Sequence, residues 1–253
     1  MKTITAYIRL ANEENTIIPC LESIKNIFNQ ILIVYSEITD NSLVLIKDYA
    51  TLNPNENIRI EQYNHNVLPP HSSEYKDKTF EYKNSLAAYY NFGLQFIDTH
   101  LLMKIDGDQV YFTKKLVSLI DKVKHSESID MNIGVKGFNC IVSNNCIKLH
   151  SSQIFNGGED HFIIPTDNAS FVQMEYWEKL SLKNSSEPCS IQPEKYWIHF
   201  KKGHRYNGVF VSGDKYDAKV LQNFDENLIT EYENDILPLL ISTNSPYKDL
   251  QYK

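Results

Sequence analysis

The residues best suited to chemistry in this 253-residue chain are two carboxylates one position apart, Asp106 and Asp108, separated by Gly107. On a turn, such a pair can present oxygens to a hard divalent cation, and Gly107, having no Cβ, lets the backbone approach closely. A cation held there would neutralise a diphosphate. Asp-x-Asp is short enough to arise by chance, and a strand-ending turn with a helix cap is the alternative reading. The metal reading gains from position, because the triplet directly follows the apolar run Leu101-Leu102-Met103-Lys104-Ile105. A second acidic pair, Glu159 and Asp160, follows Gly157-Gly158; it is either a flexible approach to a reacting group or a surface loop with incidental acids. A third cluster gathers His199, Lys202, His204 and Arg205 among Tyr196, Trp197 and Tyr206. The aromatics suit either stacking on a sugar face or an ordinary core, and a lone histidine such as His199 is as readily structural as metal-binding.

Charge narrows the partners. With 25 Lys+Arg against 32 Asp+Glu the chain carries a formal charge of −7 and has no basic stripe, which excludes an extended nucleic-acid binder. Cys20, Cys140, Cys146 and Cys189 are dispersed without ligand spacing, so structural zinc is a poor reading. They fit a reducing compartment, and no signal peptide precedes the first expected strand, so a cytoplasmic location is expected. No apolar run approaches the roughly 20 residues of a membrane span, leaving peripheral membrane contact at most. Neither Gly-x-Ser-x-Gly nor His-Glu-x-x-His occurs, and Leu10-Ala11-Asn12 stands where a dinucleotide-binding turn would need glycines.

The elements that must position these groups alternate in periodicity over the first 105 residues, as βα units of a largely parallel sheet do. Strands are expected at Thr3–Ile8, Ile31–Tyr35, Ile58–Gln62 and Leu101–Ile105, with helices at about Glu14–Phe28, Ser42–Leu52 and Thr79–Ile97. Asp40 is placed to cap the second helix. The segment Asn64–Lys78, with Pro69-Pro70, reads as a long loop. Beyond residue 110 a helix at about Thr113–Lys124 gives way to β-rich stretches at Met131–Val142 and Cys146–Leu149. A mixed region to Tyr206 follows, then a final helix over about Asp225–Leu240. In an open α/β sheet ligands bind beyond the carboxyl ends of the strands. Arg9, Asn12 and Glu13 follow the first strand, Ser36 and Glu37 the second, and Asp106-Gly107-Asp108 the fourth, so all three groups are expected on one edge.

Tyr7-Ile8-Arg9-Leu10-Ala11-Asn12-Glu13-Glu14, Cys20-Leu21-Glu22-Ser23-Ile24 and Thr39-Asp40-Asn41-Ser42 resemble the start of a family-2-like GT-A glycosyltransferase. Tyr89-Tyr90-Asn91-Phe92 and the stretch Met103–Asp108 extend the likeness. More narrowly, the chain is similar to bacterial β-1,4-N-acetylgalactosaminyltransferases that build lipooligosaccharide outer cores, well over about residues 4–125 and weakly to about 205. The resemblance implies an α/β GT-A fold: a Rossmann-like, mostly parallel central sheet flanked by helices, with a mixed acceptor-side region. It divides as a nucleotide-sugar-binding half (1–110), an acceptor-side half (111–206) and a C-terminal extension (207–253).

By the same resemblance, Arg9, Asn12 and Glu13 lie around the nucleotide and Glu37 near the uracil, although Ser36-Glu37-Ile38-Thr39-Asp40 departs from the usual Asp-Asp-Gly-Ser. Asn91 matches an Arg-Asn pair whose Arg is Tyr90 here, so the phosphate contact passes to Lys83 or Lys104, unless each lysine is merely a solvated edge. Asp106 and Asp108 hold Mn2+ or Mg2+ with His199 completing the shell, and Lys202, His204 and Arg205 hold the leaving diphosphate. Asp160 is the general base of an inverting transfer, with Glu159 and then Asp167 as substitutes. The expected partners are a UDP-sugar donor, UDP-GalNAc first, and a glycan or glycolipid acceptor. UDP-Gal, UDP-GlcNAc and UDP-Glc stay open as donors, as do a sugar nucleotidyltransferase and a non-catalytic nucleotide-sugar-binding module as rivals.

Overall fold

The computed structural model describes residues 1–69, 72–74, 81–127, 132–143, 146–155, 161–174, 178–182, 190–201, 204–206, 209–211 and 221–252. Its core is a 10-stranded sheet. Four parallel strands form one side: β1 (Ile4–Leu10), β2 (Gln30–Tyr35), β3 (Ile58–Gln62) and β4 (Leu101–Asp106), in the order β4-β1-β2-β3. β1, β2 and β4 are buried almost throughout because both faces are covered, whereas β3, at the sheet edge, alternates Ile58-Arg59-Ile60-Glu61 and has no fully buried residue. Ile4, Ala6, Ile8 and Leu10 of β1 pack under α1 (Ile17–Ile24), α2 (Ser42–Leu52) and α4 (Thr113–His125), in one cluster with Ile33, Met103 and Ile105. Tyr7, Leu32, Val34 and Leu102 point the other way, into α3 (Leu86–Leu94).

The sheet changes character beyond β4. Short β8 (Phe162–Pro165) runs antiparallel between β4 and β6 (Ile133–Ser143). β6 pairs antiparallel with β7 (Cys146–Phe155) and parallel with β11 (Ser190–Lys201), which in turn pairs antiparallel with β5 (Gln109–Tyr111). β9 (Ala169–Gln173) and β10 (Glu178–Leu182) make a separate hairpin against α3; β12 (His204–Tyr206) and β13 (Val209–Val211) make another. β14 (Leu221–Gln222) edges β7. The C-terminal helices, α5 (Glu226–Glu231), a π turn at Tyr232–Ile236 and α6 (Leu237–Ser242), bury Leu228, Tyr232, Ile236 and Leu240 against Val110, Cys140, Ile198 and Phe200.

Three expected helices differ in extent. α1 starts late because Thr16 and Ile17 donate to the Glu13 carbonyl in a turn, and it stops early because Lys25 is extended and Asn26 is left-handed at φ 60°. α3 is shorter than Thr79–Ile97 because Ser85 is extended and its side chain accepts from the Ala88 amide, a cap that starts the helix at Leu86. The expected final helix is interrupted by the π turn and runs on to Ser242. Asp40 does serve α2, its Oδ1 accepting from the Ser42 amide at 2.9 Å while its Oδ2 accepts from the Glu14 amide at 3.0 Å. Among the described residues no helix is long and apolar enough to cross a membrane.

Candidate active site

The parallel registers Arg9↔Val34 and Arg9↔Asp106 bring the carboxyl ends of β1, β2 and β4 to one edge, as the strand order requires. Asp106 ends β4, on the strand face that also carries Lys104 and Leu102. Its Oδ1 lies 3.4 Å from Arg9 Nε. Burial alone would raise the Asp106 pKa; Arg9, then Lys104, His161 and His199, outweigh it and hold the carboxyl well below its usual range. The group is therefore ionised across the working pH range.

The tight turn at Gly107 has a specific steric cause. A Cβ at this position would sit 2.0 Å from Glu13 Oε2 and 3.3 Å from Ile17 Cδ1, so only glycine lets the Glu13 carboxyl lie over the turn. That carboxyl is pushed above its ordinary range by burial first and by Asp108 next. Its Oε2 is buried without a hydrogen-bond partner, and so are Asp106 Oδ1 and Asp108 Oδ1. Three buried acidic oxygens at one strand end that make no hydrogen bond, two of them facing Arg9 and His199 at ion-pair distance, are unusual, since buried polar atoms are normally hydrogen-bonded.

The third expected metal ligand arrives from the far side of the sheet. β11 pairs with β5 so that His199 stands opposite Gln109, and His199 Nε2 lies 2.6 Å from Asp108 Oδ1. One ligand atom each from Asp106, Asp108 and His199 fall within 4.8 Å of one another. Two carboxylates and an imidazole are a donor set that Mn2+ or Mg2+ accepts, and the carboxylate oxygens that make no hydrogen bond fit such an ion.

Around the cluster, Gln109 joins the two halves. Its Oε1 accepts from the Asp106 amide (3.2 Å) and the Tyr111 hydroxyl (2.9 Å), and its Nε2 lies 3.1 Å from a ring nitrogen of His161. His161 stands just before β8, buried, edge-on to Trp197 with centroids 4.9 Å apart. Gln109 and Asn139 are not expected from the sequence, since a single polar residue in a strand carries no periodic signal and the Asp-x-Asp-Gln spacing is the one clue; His161 closes the run Gly157–His161 that holds Glu159 and Asp160, but no role is read for it there.

The other expected site residues separate into groups. Glu37 is exposed beyond the carboxyl end of β2. Asn12 is engaged locally, donating from Nδ2 to Thr39 Oγ1 and accepting from the Thr39 amide, both at 2.8 Å. Asn91 is spent on β9, accepting from the Phe171 amide (2.8 Å) and donating to its carbonyl (2.7 Å). Lys83 is exposed and paired with Glu81 at 2.7 Å. Lys104 is only 2% exposed, 3.5 Å from Glu178 Oε1 and 5.0 Å from the Tyr90 ring centroid. A phosphate that reached that ammonium would have to displace Glu178.

Tyr196 and Trp197 are core, the indole of Trp197 packed so closely on Gly137 that a Cβ there would lie 1.9 Å from it. Asp167 lines an open cavity of about 520 Å3 with Asp98 and Thr166. Because Leu101 pairs with Pro165, that cavity lies at the opposite end of β4 from Asp106, which removes Asp167 as a substitute base. Glu159, Asp160 and Lys202 lie outside the described residues. His204 and Arg205 fall in β12, whose backbone alone is described.

This α/β sheet with an acidic cluster at the carboxyl end of its fourth strand has the GT-A glycosyltransferase fold. Two solved structures share it. S. aureus TarS 1-349 is 14% identical with a TM-score of 0.51, over 78% of this chain and 60% of that one. The mannosyltransferase PcManGT from Pyrobaculum calidifontis, in complex with GDP-Man and Mn2+, is 11% identical with a TM-score of 0.50, over 96% of this chain and 64% of that one. The chain thus spans less than two thirds of either relative. No curated protein sequence matches it. The family model "Beta-1,4-N-acetylgalactosaminyltransferase (CgtA)" matches residues 3–131, just over half of the chain, and the chain belongs to that family.

Proposed function

We propose that this protein is an inverting hexosyltransferase that moves GalNAc from UDP-GalNAc onto a hydroxyl of a bacterial surface glycan such as lipooligosaccharide. The observation that carries the reading is the meeting of Asp106, Asp108 and His199 at the nucleotide edge of the sheet, in a chain of this family. Asp106, Asp108 and His199 would hold a divalent cation, Mn2+ or Mg2+, which when bound supplies positive charge for the departing diphosphate. Arg9 keeps Asp106 ionised and oriented. Asn12 ties the loop after β1 to the loop after β2, shaping the nucleotide edge, and Glu37 stands free at that edge for the base.

Asp160, next in sequence to His161, takes the acceptor proton as its oxygen attacks the anomeric carbon, and Glu159 is the second choice. The positive charge of Lys202, His204 and Arg205 suits the leaving diphosphate. Residues 1–110 serve the donor, residues 111–206 the acceptor, and residues 207–253 form an extension of the same domain. With an acceptor built on a lipid, the enzyme works in the cytoplasm, peripherally at the inner face of the cytoplasmic membrane.

The test is turnover of UDP-GalNAc, UDP-Gal, UDP-GlcNAc and UDP-Glc with Mn2+, before and after EDTA. UDP release from UDP-GalNAc that stops on chelation is the expected result. Turnover indifferent to EDTA would remove the cation, and preference for another UDP-hexose would change the donor.

A further inference from the structure

The imidazole of His199 is held from behind. Its Nδ1 lies 3.1 Å from Asn139 Oδ1, and the two residues face each other in the parallel register of β11 and β6. Asn139 is 2% exposed and His199 7%. An amide oxygen can only accept, so Nδ1 must carry the proton and donate it. With the proton on Nδ1, a neutral ring has its lone pair on Nε2, which lies 2.6 Å from Asp108 Oδ1. Two acceptors facing at that distance repel unless a proton or a metal ion lies between them, and among the described residues His199 Nε2 is the one nitrogen paired with Asp108 Oδ1.

We infer that Asn139 is a positioning residue that fixes the His199 tautomer and ring orientation so that Nε2 is permanently presented as the third ligand to a divalent cation. This rests on the reading of Asp106, Asp108 and His199 as a metal site. A ligand histidine whose other nitrogen donates to a fixed oxygen is both oriented and more basic, and losing such a partner typically weakens metal binding by about 10–100-fold. Asn139 does this from a strand that carries no metal ligand itself, so β6 contributes to donor-side chemistry from within the acceptor-side half.

The test is Mn2+ titration of the full chain, with and without UDP, followed by calorimetry and by electron paramagnetic resonance of free Mn2+. Asn139→Leu, which keeps the size and removes the acceptor, is expected to raise the Mn2+ Kd at least about 10-fold, and Asn139→Asp, which keeps an oxygen, to stay within about threefold of wild type. Saturable binding that His199→Ala weakens but Asn139→Leu does not would overturn the inference and leave the metal site standing. Absence of saturable binding in wild type would overturn both. Should Asn139→Leu not fold, the Mg2+-loaded wild-type protein decides: 15N NMR of the His199 ring is expected to show the proton on Nδ1, and a proton on Nε2 instead would sink the proposal.

Discussion

The two sides of the sheet solve different problems. From β1 to β4 every strand is parallel, every register unbroken, and each site residue follows its strand within a few positions. From β5 onward strands run both ways, the β6–β11 pairing slips between Ile191 and Lys195 and again before Ile198, and β6–β7 slips between Phe138 and Cys140. Yet this irregular side delivers His199, His161 and Asn139 to the same few ångströms. The regular side fixes charge by local sequence; the irregular side fixes it by tertiary pairing, with Gln109 as the joint between them.

Substitutions on each side sharpen that contrast. Asp108→Ala is expected to have the largest effect, lowering kcat/KM at least about 1,000-fold, because several kcal/mol of charge stabilisation depends on the ion it would hold; steady-state kinetics with Mn2+ checks this. Asp160→Asn should cost about 100- to 1,000-fold in transfer with near-normal UDP affinity, as expected of a lost general base. Retained transfer would pass the role to Glu159.

Gly137→Ala tests the packing of the irregular side. The added methyl meets the Trp197 ring, and overpacking of about 1–3 kcal/mol should lower Tm by roughly 3–10 °C in a calorimetric scan. Asn91→Ala should lower Tm by roughly 2–6 °C through two lost backbone hydrogen bonds of about 0.5–1.5 kcal/mol each, with KM for the donor within about threefold. A tenfold rise in donor KM without destabilisation would instead return Asn91 to the nucleotide. Smallest is Glu37→Gln, an exposed change expected to move donor KM by no more than about fivefold while leaving Tm within about 1 °C.

The contrast also governs what could be read from sequence. β2 and β4 are legible because fully buried parallel strands are short apolar runs, β3 because Ile58 and Ile60 alternate with Arg59 and Glu61, and Asp106 and Asp108 because they directly follow such a run. His199 was singled out by its neighbours, but nothing local says that Asn139 faces it, since that pairing exists only once β6 and β11 adopt their register. β5 was missed because three residues give no periodicity. The partner of Lys104 is hidden from the sequence for a related reason. An apolar strand holding one lysine looks like an edge, and its compensation, Glu178, sits on a distant hairpin.

The position of β8 governs how the molecule is made. Four residues, Phe162–Pro165, separate the parallel half from the flank, pairing with β4 on one side and β6 on the other. During synthesis the segment that matches the family model emerges before β8, and β4, the end strand of its β4-β1-β2-β3 order, shows a bare hydrogen-bonding edge until residue 165 has left the ribosome. An apolar strand with an open edge invites pairing with another chain. A fragment ending at residue 131 is therefore expected to aggregate or to require a chaperone, so the shortest piece that folds unaided would be much longer than the piece that matches the family model.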